Sequence, residues 1–106
     1  MAIIQRAAPK ALSEIAGASL TGSYQDVYTA SDDVIILVVT NTCDQDIYIS
    51  LDGGTTTHLK LSSDNKGFVL DYSSNLLRLP KPTVSVKHAG VLPSGWLAVS
   101  ATELTT

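Results

Sequence analysis

At 106 residues, 44% of them hydrophobic and 16% charged, the chain has room for one domain and carries less charge than the roughly 25% of an ordinary soluble domain. Seven Lys and Arg against ten Asp and Glu leave a net charge of −3. The basic residues are scattered singly, which argues against a nucleic-acid footprint, and the single cysteine, Cys43, rules out an intramolecular disulfide or a cysteine-rich metal cage.

Residues 1–10 read as an extended N-terminal arm, with Ile3 and Ile4 as an apolar anchor and Pro9 opposing a continuous helix. Arg6 and Lys10 interrupt any apolar run, so neither a secretory signal nor a membrane-spanning helix is expected here. Residues 11–106 are then one domain. Ala11 to Ala16 leans to a first edge strand, because Gly17 and Gly22 bracket the next few residues. Ser23 to Thr29 alternates, with Tyr24, Asp26 and Tyr28 on one face. Ala30 to Asp33 is a turn of Ser and Asp. The run from Val34 to Asn41, VIILVVTN, is continuously apolar and β-branched, which predicts either the most central strand or one overlaid by a partner subunit.

The clearest local signal is the stretch IYISLDGGTTTHLKL, Ile47 to Leu61. Ile47, Ile49 and Leu51 share one face of the first arm, Leu59 and Leu61 answer on the second, and Asp52, Gly53 and Gly54 supply the positive φ of a tight turn. Ser62 to Gly67 turns again, and Phe68 to Tyr72 returns with Phe68, Leu70 and Tyr72 on one side. Ser73 to Asn75 is a break. Leu76 to Pro82 holds two prolines and reads as a surface-crossing or edge segment. Val84 to His88 alternates, Ala89 to Gly95 is a loop, Trp96 to Thr102 is the last strand, and Glu103 to Thr106 trails off. Seven or eight short strands at such spacing predict an all-β fold, a β-sandwich or jelly-roll-like domain.

Chemistry-bearing residues are sparse. Asp44, Asp46 and Asp52 cluster in sequence, but their spacing lacks the Gly and distal Glu of a calcium loop, which makes them turn carboxylates. His58 and His88 would need a further convergent donor, with Cys43 or Asp52 nearest in sequence, to hold zinc. No serine sits in a Gly-x-Ser-x-Gly elbow, and the pairing of Asp52 with Asp71 as glycosidase acids has nothing to single it out. No helix follows Gly53 and Gly54, so a hairpin turn is expected there and not a phosphate loop. Trp96, Tyr24, Tyr28, Tyr48 and Tyr72 could stack on sugars; core packing is the more ordinary role for such rings, including Trp96 at the head of an apolar strand. Cys43 has no activating neighbour and is expected to be inert. No cofactor and no catalytic residue is assigned, and the chain is read as a non-enzyme.

The segments NTCDQDIYISLDGGTTTHLKL, GFVLDYSSN, SVKHAG and SGWLAVSA together resemble small virion proteins of tailed bacteriophages, over about Val34 to Ala101. The resemblance implies a structural subunit located in the virion, made in the host cytoplasm, with the capsid surface as its place. It implies a cement or decoration protein that bridges capsid subunits, with the major capsid protein or other virion subunits as partners, a homo-oligomeric state, and neither nucleic acid nor membrane as ligand. A neck or tail adaptor, or a carbohydrate-binding module for host adsorption, are the alternatives. Ile3, Ile4 and Arg6 of the arm and Asp52, Gly53 and Gly54 of the hairpin tip are the expected contact residues.

Overall fold

The structure is a computed structural model that describes residues 6–63, 66–72 and 77–105. Among the described residues nine strands run in chain order: β1 (Arg6–Pro9), β2 (Ser13–Ala16), β3 (Gln25–Thr29), β4 (Val34–Asn41), β5 (Ile47–Ser50), β6 (Leu59–Leu61), β7 (Lys66–Asp71), β8 (Thr83–His88) and β9 (Trp96–Thr105). They form two antiparallel sheets packed as a sandwich. One has the order β1-β9-β4-β7, with β2 also on β9, and the other has the order β3-β8-β5-β6.

The pairing is nested. β5 pairs with β6, β4 with β7, β3 with β8 and β2 with β9, as though one long hairpin had been doubled and wrapped over on itself. This is jelly-roll connectivity, the two-Greek-key solution by which an all-β chain closes two sheets over one core. The hairpin read from Ile47 to Leu61 sits at its centre, with Ile47 opposite Leu61 and Ile49 opposite Leu59.

Period-two alternation explains the core. Leu37 and Val39 on β4, Leu97, Val99 and Ala101 on β9, Ile47 and Ile49 on β5, and Val84 and Val86 on β8 all face inward and are buried. Each of the buried Val, Leu and Ile side chains contributes about 1.5–3 kcal/mol relative to remaining exposed. Asn41, buried among them, is satisfied: its amide donates to the carbonyls of Ser62 (3.0 Å) and Gln45 (3.4 Å), and its Oδ1 accepts from the Cys43 N–H (2.9 Å). Cys43 is a free, buried thiol, and burial together with neighbouring Asp44 pushes its pKa up, away from the reactive thiolate.

Several expectations are corrected. The strand count among the described residues is nine. Of the arm at residues 1–10, Arg6–Pro9 are extended but lie in the sheet, opposite Thr105 to Thr102 of β9; Ile3 and Ile4 fall outside the described residues, as does the break at Ser73 to Asn75. From Pro9 to Ser13 the chain advances four residues while β9 advances three, from Thr102 back to Val99, so a bulge joins β1 and β2 into one broken edge. β9 does not stop at Thr102. It runs on to Thr105 because both β1 and the start of β4 continue to pair with it. The face shared by Tyr24, Asp26 and Tyr28 is also broken, since a bulge between Asp26 and Tyr28 turns Tyr28 into the core and leaves Asp26 outside.

Candidate assembly surfaces

The Asp-Gly-Gly tip is not a two-residue turn. Asp52 bridges to Thr83 and the Gly53 N–H donates to the Thr83 carbonyl (3.1 Å), so the chain follows β8 before it reverses, and residues 51–58 form the connection. A small network holds this loop. Asp52 Oδ1 accepts from the Ser50 hydroxyl (2.7 Å) and the Thr56 N–H (2.9 Å), Ser50 Oγ accepts from the Gly54 N–H (2.9 Å), and His58 Nδ1 accepts from the Leu51 N–H (3.0 Å). Gly53 and Gly54 do have positive φ (75° and 99°), and a Cβ at Gly54 would lie 2.9 Å from Tyr24 Cβ. Glycine is required there by conformation and by space.

Those donors hold the Asp52 carboxyl at about 2, the Ser50 hydroxyl contributing most and the Thr56 N–H next. Its ordinary value is 3.8, so the network is complete above that pH and is lost as pH falls through about 2. A carbon-13 titration should place the Asp52 midpoint near 2, and Ser50→Ala should move it back toward 3.8. A midpoint unmoved by Ser50→Ala would remove that hydroxyl from the network.

Arg6 is exposed at the start of β1, opposite Thr105. Strand direction puts it at the same end of the sandwich as Asp52, but in the other sheet. At this end Glu103 joins the two layers. It follows Leu97, Val99 and Ala101 along the inward row of β9 and is 1% exposed. The Tyr28 hydroxyl from the opposite sheet donates to its Oε2, the Asp32 N–H (3.0 Å) and Ser31 hydroxyl (3.2 Å) donate to Oε1, and Lys10 Nζ lies 4.0 Å away. Burial alone would raise the Glu103 carboxyl, but those donated bonds and the lysine outweigh it and hold it below the ordinary glutamate value. Burial, and then Glu103 itself, push the Tyr28 phenol far up.

The three aspartates weighed for calcium are kept apart by separate partners. Asp44 accepts from the Ser94 N–H and hydroxyl (both 2.9 Å), Asp46 from the Ser63 N–H (3.0 Å) with Lys60 at 3.3 Å, and Asp52 serves its own loop. Among the described residues no three His, Cys, Asp or Glu side chains converge as metal ligands.

Tyr28 and Phe68 turn inward, whereas Trp96, Tyr24 and Tyr48 divide between the two outer faces. Trp96, expected in the core, is 53% exposed: Leu97 and Val99 take the inward positions of β9, and alternation sends Trp96 out. Tyr24 and Tyr48 lie on the outside of the four-stranded sheet, where Lys87 Nζ sits 4.7 Å from one ring centre and 5.7 Å from the other. The register gives the outer face of the five-stranded sheet a different character. Ile36, Val38, Val69, Trp96, Ala98 and Leu104 alternate outward there among Ser and Thr, and among the described residues Glu14 and Asp71 are the charges on that side of β2, β4, β7 and β9. Val69 is 61% exposed, and Ile36 and Val38 of the central β-branched run are only half-buried. An apolar sheet face of this kind is suited to burial against another protein. Comparison of the chain with protein-family models, with curated proteins and with solved structures gives no match.

Proposed function

We propose that this chain is a non-enzymatic structural subunit of a tailed-bacteriophage virion, a cement or decoration protein that stabilises the capsid by bridging its subunits. The observation that carries the reading is the outer face of the five-stranded sheet, apolar at Ile36, Val38, Val69 and Trp96 on a rigid two-layer scaffold. Set against a neighbouring subunit, such a face contributes apolar burial without desolvating many charges. Because the chain binds the assembled shell, it stabilises the shell by mass action. The jelly-roll connectivity is compatible with this role and, as a fold shared by unrelated functions, does not select it.

The test is binding and copy number. Quantitative mass spectrometry of purified virions should find the chain in numbers comparable to the capsid subunits, and Val38→Lys should abolish its co-sedimentation with capsids. A copy number matching one ring assigns it to the neck or tail instead, and absence from the particle overturns the reading.

A second reading, a carbohydrate-binding module used in host adsorption, draws on Tyr24 and Tyr48, which share one outer face. Trp96 belongs to the opposite sheet and cannot complete the same platform. Micromolar binding on a glycan array, lost in Tyr48→Ala, would replace the capsid assignment by this one.

A further inference from the structure

Four edges terminate the two sheets, and three of them carry features that block further pairing. The β1–β2 edge contains Pro9 and is broken by its bulge, β3 is bulged between Asp26 and Tyr28, and β6 has three residues with Lys60 at its centre. Prolines, bulges, short strands and lysines are the means by which sheets avoid adding foreign strands. β7 has none of them in its interior. Its six residues pair with β4 without a register shift, from Lys66 opposite Asn41 to Asp71 opposite Ile36.

The hydrogen-bond phase shows which groups this edge presents. The Tyr72 N–H donates to the Ile35 carbonyl (2.7 Å), and antiparallel ladders alternate, so Leu70 and Phe68 also turn their peptide groups toward β4. Gly67 and Val69 turn theirs away from β4, to the side on which no further strand pairs among the described residues. The side chains match this state: Val69 is 61% exposed, while Phe68 and Leu70, on the inner side, are only partly buried although they pack against the core.

We propose that β7 is the seam of a two-fold dimer, pairing antiparallel with β7 of a second copy so that the five-stranded sheets of both copies become continuous. A two-fold axis through Val69 sets Val69 against Val69 of the second copy, with their outward-turned peptide groups exchanging hydrogen bonds. The same register sets Phe68 against Leu70 of the second copy. The occupant is a second copy because the strand answers itself across the axis, valine on the outer side and Phe with Leu on the inner. Each partly buried side chain thereby gains an apolar neighbour. The seam borders the apolar face proposed for capsid binding and shares Val69 with it, but the pairing of two β7 edges does not depend on that reading.

Sedimentation of the full chain at roughly 100 μM, where a micromolar complex is fully formed, should give a dimer. Val69→Pro should make it a monomer with an unchanged far-ultraviolet circular dichroism spectrum, because the Val69 N–H points away from β4 and serves no bond among the described residues. Val69→Lys, which leaves the backbone unaltered, should do the same and decides the matter if the proline variant does not fold. Oxidised Val69→Cys should run as a covalent dimer, since paired Cα atoms about 5.5 Å apart suit a disulfide. A wild-type monomer overturns the proposal. So does a dimer that survives Val69→Lys, or one abolished by Val38→Lys on the sheet face while Val69→Lys leaves it intact.

Discussion

Truncation of Glu103 to alanine should cost about 3 kcal/mol, a fall in melting temperature of roughly 15 °C, measured by thermal or urea unfolding. The loss has an identifiable origin. The Tyr28 hydroxyl loses its acceptor at a buried point, the Asp32 N–H and the Ser31 hydroxyl lose theirs at part-buried ones, and Lys10 loses its nearby carboxylate. Glu103→Gln keeps the shape and one acceptor oxygen and should fall between wild type and alanine. The two variants also differ in acid. A carboxyl held below its ordinary value of 4.5 contributes stability that is fully present above that pH and is lost as pH falls through the lowered value. Wild type should therefore lose stability more steeply below pH 4.5 than Glu103→Gln does. Equal acid slopes would show that Glu103 is not charged in the folded chain.

Gly95→Ala should be about as damaging, at roughly 3 kcal/mol. At this other end of the sandwich the loop before β9 presses on the β4–β5 connection. The Gly17 N–H donates to the Gly95 carbonyl (2.8 Å), and the Thr42 N–H donates to the Trp96 carbonyl (2.9 Å). Gly95 has φ of 96°, and an added Cβ would lie 2.5 Å from the Thr42 carbonyl oxygen and 2.9 Å from Cys43 Cα. Both obstacles are backbone, so relief requires moving a strand end. Gly90 provides the control: its φ is 117° but nothing lies within 4 Å of its would-be Cβ, so Gly90→Ala should cost only the conformational strain, about 1–2 kcal/mol. Equal losses at the two sites would show that crowding at Gly95 contributes nothing.

How much of the fold was legible in the sequence depends on how local each signal is. Alternation and β-branching marked β4, β5, β6 and β8 within a residue or two, because a strand half-buried on one face needs only its own residues to declare itself. The continuous run in β4 predicted a strand central or covered on both sides. The strand is interior, between β9 and the edge strand β7, while β9 with three partners is the most central, and the outer residues Ile36 and Val38 of β4 belong to the apolar face. The sequence places the end of β9 too early, at Thr102, because a charged residue, Glu103, follows it close to the end of the sequence. The alternation of Leu97, Val99 and Ala101 already assigned position 103 to the interior, and only its partners on β3 and the following turn, distant in sequence, make a carboxylate acceptable there. The same alternation would have sent Trp96 outward. Nothing in Arg6-Ala-Ala-Pro9 announces a strand; the four residues are extended because β9 has an edge to offer them. Of the expected contact residues, Arg6 and the Asp52 loop are found at one end of the sandwich, whereas the apolar sheet face and the β7 edge come from register, which no single segment contains.

The nesting of the strands also governs how the chain can acquire its structure. β5 and β6 close a short loop and can form within microseconds, but each enclosing pair must bring together segments farther apart, until β2 waits for β9 across some eighty residues. Mean contact separation is therefore high, and folding should be slow for a domain of this size, in milliseconds to seconds. During synthesis the order is stricter: β4, the strand richest in valine and isoleucine, emerges well before β9, which will lie beside it, and remains an exposed apolar ribbon in the interval. The sparse charge that suits the finished surface to burial leaves this intermediate with little to keep it apart from its neighbours on a polysome. Yield from an expressing cell should therefore depend on synthesis rate and temperature more than on the stability of the folded chain.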